Sequence, residues 1–233
     1  MKKLLLVLTL SIVYSLTASA QQSPSADEVI NKYIKVLGGK EALEKIKDIS
    51  AQSTISNNSA SNKQIWKYKI PDKRLVVIND GTGKIIYWQV IDGKQVTAKF
   101  GDSPMPTKPA DLQLELLNGQ WIPELNLKKN NVKYSLEGTE AIKGKQAYKI
   151  AYTLANGTAL WTSYYDTQVG LLVRTVYAYQ DGPLTMDISD YRAVNGIQLP
   201  YHSIDTNSTG QYVTQVSKYE FNTGLSDEEF VVK

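Results

Sequence analysis

Val29, Ile30, Tyr33, Val36 and Leu37 recur at helical spacing and predict one amphipathic helix with a single apolar face. Ser25 and Glu28 stand at capping-box spacing before it, and Gly38-Gly39 supplies a stop after it. A short second helix is expected over 40–46, with Ala42, Leu43 and Ile46 on one side. After Asp48 the period of the apolar residues drops from about 3.6 to about 2. Ile49, Ala51 and Ile55 alternate with polar residues, 57–62 reads as a polar turn, and Trp66, Tyr68 and Ile70 alternate with Lys67 and Lys69. Further strands are expected over 75–78, 84–91 and 95–100, joined through Asp80-Gly81-Thr82-Gly83 and Asp92-Gly93.

Pro104, Pro106 and Pro109 break this rhythm. A short helix over 111–117 and an irregular apolar stretch over 120–127, with Trp121, Ile122 and Leu125, come next. The whole of 101–127 reads as an insertion lying over the sheet, because a long apolar loop rarely stays exposed. Strands resume at 133–137, 145–154, 160–166, 171–179, 184–192, 198–204 and 212–221. The expected fold is α+β: a strongly curved antiparallel half-barrel of about eleven strands. Its concave face is covered by the N-terminal helix and the short helical insertion.

Residues 1–20 change the picture of where this protein works. Lys2 and Lys3 precede a short apolar run, and Ala18-Ser19-Ala20 has the form of a cleavage site, so a secretory signal peptide cut after Ala20 is expected. The apolar run falls short of the roughly 20 residues of a membrane-spanning helix. The expected mature protein is then residues 21–233, one domain, exported to the periplasm and without a membrane span. It carries 24 Lys and Arg against 23 Asp and Glu, a net charge of +1. That balance argues against nucleic acid as the main partner. The chain has no Cys, which excludes both disulfides and a lipid-modified N-terminal cysteine.

Candidate catalytic chemistry is sparse. His202 is the one histidine, no Gly-x-Ser-x-Gly elbow accompanies it, and a histidine-based zinc site needs more ligands than the chain offers. Asp187 and Asp190 stand three apart in a strand and so point to opposite faces; Asp227, Glu228 and Glu229 read as a solvated turn. No phosphate-binding loop, dinucleotide fingerprint or calcium loop is present. No cofactor and no metal are expected, and the chain reads as a non-enzyme. A carboxylate-based hydrolase remains an alternative, since two carboxylates suffice for glycoside hydrolysis.

The positive signal is the aromatic content: 15 Tyr and 4 Trp against 3 Phe. A curved sheet with an apolar helix across its mouth makes an apolar concavity suited to acyl chains. The candidate lining residues are Tyr33, Trp66, Tyr68, Trp88, Val90, Tyr148, Tyr152 and Trp161. The other reading of each is simple packing beneath the helix.

Several stretches carry a family resemblance. Ala26-Asp-Glu-Val-Ile-Asn-Lys-Tyr-Ile-Lys-Val-Leu-Gly-Gly opens the expected mature chain, and Lys67-Tyr-Lys-Ile-Pro-Asp-Lys-Arg74 and Val90-Ile-Asp-Gly-Lys94 follow. Later come Tyr164-Tyr-Asp-Thr-Gln-Val-Gly-Leu-Leu-Val-Arg174, Asp190-Tyr-Arg-Ala-Val-Asn-Gly-Ile-Gln-Leu-Pro200 and Tyr219-Glu-Phe-Asn-Thr-Gly-Leu-Ser-Asp-Glu-Glu-Phe230. In this order they resemble the LolA/LolB-like lipoprotein-sorting superfamily. They are most similar to its divergent periplasmic members, including the region attached to some insulinase-type peptidases. The resemblance implies a half-barrel whose apolar cavity receives a lipid or a lipoprotein acyl chain, acting as a monomeric carrier. It also leaves room for an outer-membrane or envelope protein partner, as an accessory to a peptidase or assembly system. The family's arginine beside the proline is Ile70 here, with Lys69, Lys73 and Arg74 nearby, and the peptidases' zinc motif is absent.

Overall fold

In the computed structural model, which describes residues 23–231, Ser25 starts the first helix. Its hydroxyl accepts the Glu28 N–H at 3.2 Å, and the Glu28 carboxylate accepts the Ser25 N–H at 2.7 Å. Helix α1 (Ala26–Leu37) stops at Gly38, and α2 (Lys40–Glu44) follows it. The expected signal peptide lies outside the described residues.

Six strands come next: β1 (Asp48–Ser56), β2 (Ser61–Lys69), β3 (Lys73–Asn79), β4 (Ile85–Ile91), β5 (Val96–Phe100) and β6 (Ser103–Pro104). A segment bearing α3 (Leu112–Asn118) and a 3-10 turn (Pro123–Leu125) leads to seven more. These are β7 (Val132–Ile142), β8 (Lys145–Leu154), β9 (Ala159–Asp166), β10 (Leu172–Tyr177), β11 (Leu184–Val194), β12 (Ile197–Asn207) and β13 (Gly210–Phe221). A final 3-10 turn covers Asp227–Phe230.

All the strands join one antiparallel, unclosed sheet in the order β6-β5-β4-β3-β2-β1-β13-β12-β11-β10-β9-β8-β7. The fold is the expected α+β half-barrel, with thirteen strands among the described residues instead of about eleven. One of the extra strands is β6, a two-residue edge pair inside the proline-rich stretch. Proline suits an edge because its missing N–H would face no partner there.

Each strand pairs with its sequence neighbour except at β1–β13, where Ile49 meets Phe221 and Ser56 meets Val213. Strands β6 and β7 therefore end up as the two edges of the sheet, although they are consecutive in the chain. The segment between them has to cross from rim to rim of the half-barrel.

The main core lies under that crossing. Val29, Ile30, Tyr33 and Leu37 of α1 pack with Leu114, Leu117, Ile122 and Leu127 of the crossing segment over Ile49, Ile150, Leu160 and Tyr165 of the sheet. Two glycines permit the approach. A Cβ at Gly38, whose φ is +138°, would stand 2.8 Å from Ile197 Cδ1. A Cβ at Gly119, just after α3, would stand 2.6 Å from the Asp72 carbonyl oxygen.

A smaller cluster sits on the other face of β3 and β4, where Phe230, 1% exposed, packs with Leu75 and Val90. The acidic run before it is a turn with Asp227 and Glu228 exposed, as expected, and it is also ion-paired. Asp227 pairs with Lys69 and Lys73 at 2.9 and 2.8 Å, and Glu229 pairs with Lys67. Hydrogen bonds from Lys73 and Lys69 hold the Asp227 carboxyl down at about 2. Buried Asp48 anchors the same segment by accepting the N–H groups of Thr223 and Gly224 at 2.7 and 3.0 Å. Replacing Phe230 with Ala is expected to cost about 3 to 5 kcal/mol through the cavity it leaves. Urea denaturation checks this, with the far-ultraviolet dichroism of the native state unchanged.

Candidate functional site

A cavity of about 830 Å³ lies between the concave face and the crossing segment. Its walls are apolar over much of their area. Trp66 and Val216 come from the centre of the sheet, Trp161, Leu172 and Ile188 from the β9–β11 side, and Leu117, Trp121 and Ile122 from the crossing segment. Trp66 is locked by edge contacts with Tyr68 and Tyr219, at ring separations of 5.7 and 5.4 Å. The rim is formed by Met105–Lys108 on one side and by Asp181, Gly182 and Asn207–Thr209 on the other.

One end of this cavity is polar. Arg74 enters from β3 and Asp205 from β12, four strands away, so it is the curvature that turns them toward a common space. The Arg74 guanidinium lies over the Tyr68 ring, 5.8 Å from its centroid. Its Nε is buried and has no hydrogen-bond partner among the described residues, and the same is true of Asp205 Oδ1. Around them stand Tyr87, Tyr177, Tyr179, Gln89 and Glu115. Gln89 Nε2 donates to Glu115 at 3.4 Å, and Asn118 Nδ2 donates to the Tyr179 hydroxyl at 3.0 Å.

The electrostatics follow from this burial. Desolvation works against the Arg74 charge, but the hydroxyls of Tyr68, Tyr87 and Tyr179 and the Glu115 carboxylate outweigh it, and the guanidinium stays protonated. Desolvation pushes the Asp205 carboxyl up to about 6, with Arg74 pulling the other way. It also lifts Tyr87 to about 12 and raises Tyr177 and Tyr179 further.

A second buried polar chain lies on the β8–β9 side. The Tyr165 hydroxyl donates to Glu124 at 2.9 Å and stands 2.8 Å from the Tyr152 hydroxyl. Burial raises the Glu124 carboxyl. This chain ties the 3-10 turn of the crossing segment to the floor of the sheet.

The residues named from the sequence divide between two faces. Tyr33, Trp66, Tyr68 and Trp161 line the cavity. Tyr152 packs behind it, stacked on Trp161 at 4.8 Å, and Tyr148 is half-buried against the core. Trp88 and Val90 lie on the opposite face, with Leu75 and Phe230. Their neighbour Gln89 is the one that faces inward, as strand alternation requires. His202 Nδ1 stands 3.1 Å from Ser189 Oγ, but the adjacent Asp190 is held by Arg192 through contacts of 3.0 and 2.6 Å. Among the described residues, no third group orients the ring.

Composition and motifs do not point to the polar end, though strand phase carries a signal for it. Arg74 shares the phase of Val76, and Asp205 shares that of Ile197 and Leu199, so both are charges written into an inward-facing register.

The site is thus an open sheet bridged by its own chain over a part-apolar, part-polar cavity. No family model and no curated protein matches this sequence. Solved structures match the fold. A DUF1329 family protein from Desulfovibrio piger superposes with a TM-score of 0.61 at 13% identity, covering 90% of this chain and 98% of its own. A LolA superfamily protein from Nitrosomonas europaea gives 0.59 at 10% identity, covering 90% and 99%. An outer-membrane lipoprotein-sorting protein domain from Vibrio parahaemolyticus gives 0.55 at 11% identity, covering 86% and 97%. The chain has a LolA-like fold. Among the described residues no helix is long and apolar enough to cross a membrane.

The raised Asp205 carboxyl has a defined effect on stability. Its folded value of about 6 exceeds the ordinary 3.8, so the folded state binds the extra proton between those values and stability falls as pH rises through that window. Asp205→Asn is expected to remove this slope. It should be more stable than the parent above pH 6 by up to about 3 kcal/mol, since a tenfold change in proton affinity corresponds to about 1.4 kcal/mol. Denaturant titrations from pH 4 to about 8 check both the sign and the window.

Proposed function

We propose that this protein is a non-catalytic periplasmic carrier that buries a lipid or lipoprotein acyl chain in the cavity. The observation that carries this reading is the 830 Å³ space walled by Trp66, Trp121, Trp161, Leu172 and Ile188 beneath a chain crossing that is not part of the sheet. Removing an acyl chain from water gains about 0.8 kcal/mol per CH₂, so affinity comes from burial and needs no chemistry. The LolA-like fold supports the same reading. The expected export signal at 1–20 supports the compartment.

The path of entry follows from how each cover is held: α1 is anchored on the sheet, and the strap 106–111, beyond the Met105 N–H bonded to the Ala98 carbonyl at 2.8 Å, is the part held least. Lys32 of α1 donates to the carbonyls of Thr167 and Gln168 at 2.9 and 2.8 Å, and Gly38 is wedged on Ile197. In α3, Leu114 and Leu117 are buried and Gly119 is pressed on Asp72. The strap before α3 is held mainly at the rim. Lys108 pairs with Asp181, and Asp111 accepts the Gln180 N–H at 2.9 Å. Exposed ion pairs of this kind contribute little. Acyl chains enter and leave under this strap.

A second reading, a protein-interaction module, draws on Phe100 and Met105, which are 63% and 46% exposed beside the β6 edge. In the carrier reading they form a docking point for a protein that delivers or receives cargo.

Native mass spectrometry with solvent extraction, on protein taken from its own envelope, tests the carrier reading. A bound lipid or acylated peptide is expected. A clean apo mass together with no uptake of acyl probes would overturn it. Trp66→Glu is expected to weaken uptake of a fluorescent acyl probe by about tenfold or more, because a carboxylate in the wall must be desolvated. Trp88→Glu, on the other face, should leave uptake within about twofold if the variant remains folded. The absence of native cysteine allows Lys108→Cys with Asp181→Cys to be bridged by a short bismaleimide. Bridging is expected to slow both uptake and release, with the unbridged variant behaving as the parent does.

A further inference from the structure

We propose that the polar end of the cavity is a head-group site for an amide-linked acyl chain, with Arg74 donating to the amide carbonyl and Asp205 accepting from the amide N–H. This inference rests on the carrier reading and specifies its ligand. Two polar groups are left over inside the fold. Arg74 Nε and Asp205 Oδ1 are buried, line one cavity and have no hydrogen-bond partner among the described residues. One is a donor and the other an acceptor. They reach the cavity from β3 and β12, and Asp205 feels the Arg74 charge, so a group lodged between them would be faced by both.

Charge decides which group. Arg74 is faced by the Glu115 and Asp205 carboxyls, and its electrostatic environment is otherwise tyrosine hydroxyls. Glu115 already balances the guanidinium. A carboxylate ligand would bring a further negative charge beside Asp205, in a place where burial penalises charge. An ester offers an acceptor to Arg74 but nothing to Asp205. A neutral amide offers both an acceptor and a donor and adds no charge. The cavity beyond, toward Trp66, Trp161 and Ile188, supplies the apolar walls for the chain.

The probes are N-methyldodecanamide, methyl dodecanoate and dodecanoate, each titrated against the whole protein at pH 7.5 by displacement of a fluorescent acyl probe. The amide is expected to bind about tenfold or more tightly than the ester, the difference made by one satisfied buried acceptor. Dodecanoate should be weaker than the amide. Asp205→Leu should collapse the amide-to-ester ratio to about one, while Asp205→Asn, which keeps the side-chain carbonyl, should retain it. Arg74→Met should weaken amide and ester together. Thermal melts of each variant confirm folding, and Asp205→Asn keeps the test decisive if Asp205→Leu does not fold. Equal binding of amide and ester in the parent protein, or tighter binding of dodecanoate, overturns the head-group site and leaves the carrier standing. Failure of all three probes to bind overturns the carrier reading itself.

Discussion

The pairing of β1 with β13 is the constraint on which the rest of the structure depends. Every other strand contact is between sequence neighbours, and a chain with only those would form two separate meanders. Joining the first strand to the last fuses them, and it also determines where the edges fall. Because β6 and β7 become opposite rims, the residues between them must bridge the mouth of the half-barrel. A lid is therefore a consequence of topology, and the apolar side chains of 112–127 follow from where the chain must run. A crossing built of polar residues would leave the concave face wet, and one built as a strand would have had to pair with a rim.

The cost of the cavity is concentrated at its polar end. A buried donor or acceptor without a partner costs about 1 to 3 kcal/mol, and a domain has only about 5 to 15 to spare. Arg74 and Asp205 together therefore weigh on a substantial share of that margin. Apolar residues at the same two positions would remove the penalty and extend the walls set by Trp66 and Ile188. A sequence that keeps opposed charges in an inward register, against its own stability, breaks a local rule where the proposed head-group site lies. The tyrosines around them make the arrangement tolerable. Tyr68 offers its ring face to the guanidinium, and Tyr87, Tyr177 and Tyr179 give it a polar but unionised surrounding.

Much of the fold is legible in the sequence because its signals are local. The capping box at Ser25 and Glu28, the stop at Gly38 and the two-residue alternation after Asp48 are all decided within a few residues. The turn after β1 is tighter than its polar composition suggests. Asn57 Oδ1 accepts the N–H groups of Ser59 and Ala60, and β2 is already under way at Ser61. The site cannot be read locally. Strand alternation says that Trp88 and Gln89 face opposite ways, but not which way is inward, and the aromatic side chain points to the wrong one. The two faces differ only in what covers them: the crossing segment on one side, Leu225 and Phe230 on the other. Both covers arrive from far along the sequence. The ion pairs of the acidic turn at 227–229 are hidden for the same reason, since its lysine partners on β2 and β3 lie about 160 residues earlier.

The two covers also differ in how they are held, and that difference bears on function. The outer cover is fixed on one face of β3 and β4 by buried Phe230 and by the hydrogen bonds to buried Asp48, with partly exposed ion pairs on three lysines added to them. The inner cover is fixed where α3 and the 3-10 turn bury Leu114, Leu117 and Ile122, and where Glu124 receives the Tyr165 hydroxyl. Only its leading strap rests on rim contacts exposed to solvent. Arg74 therefore sits on a strand clamped from behind, whereas the way into the space in front of it is latched by contacts that water and salt weaken. A rigid polar end and a weakly latched opening on the same cavity are what the proposed carrier needs, since selectivity requires the first and turnover of cargo requires the second.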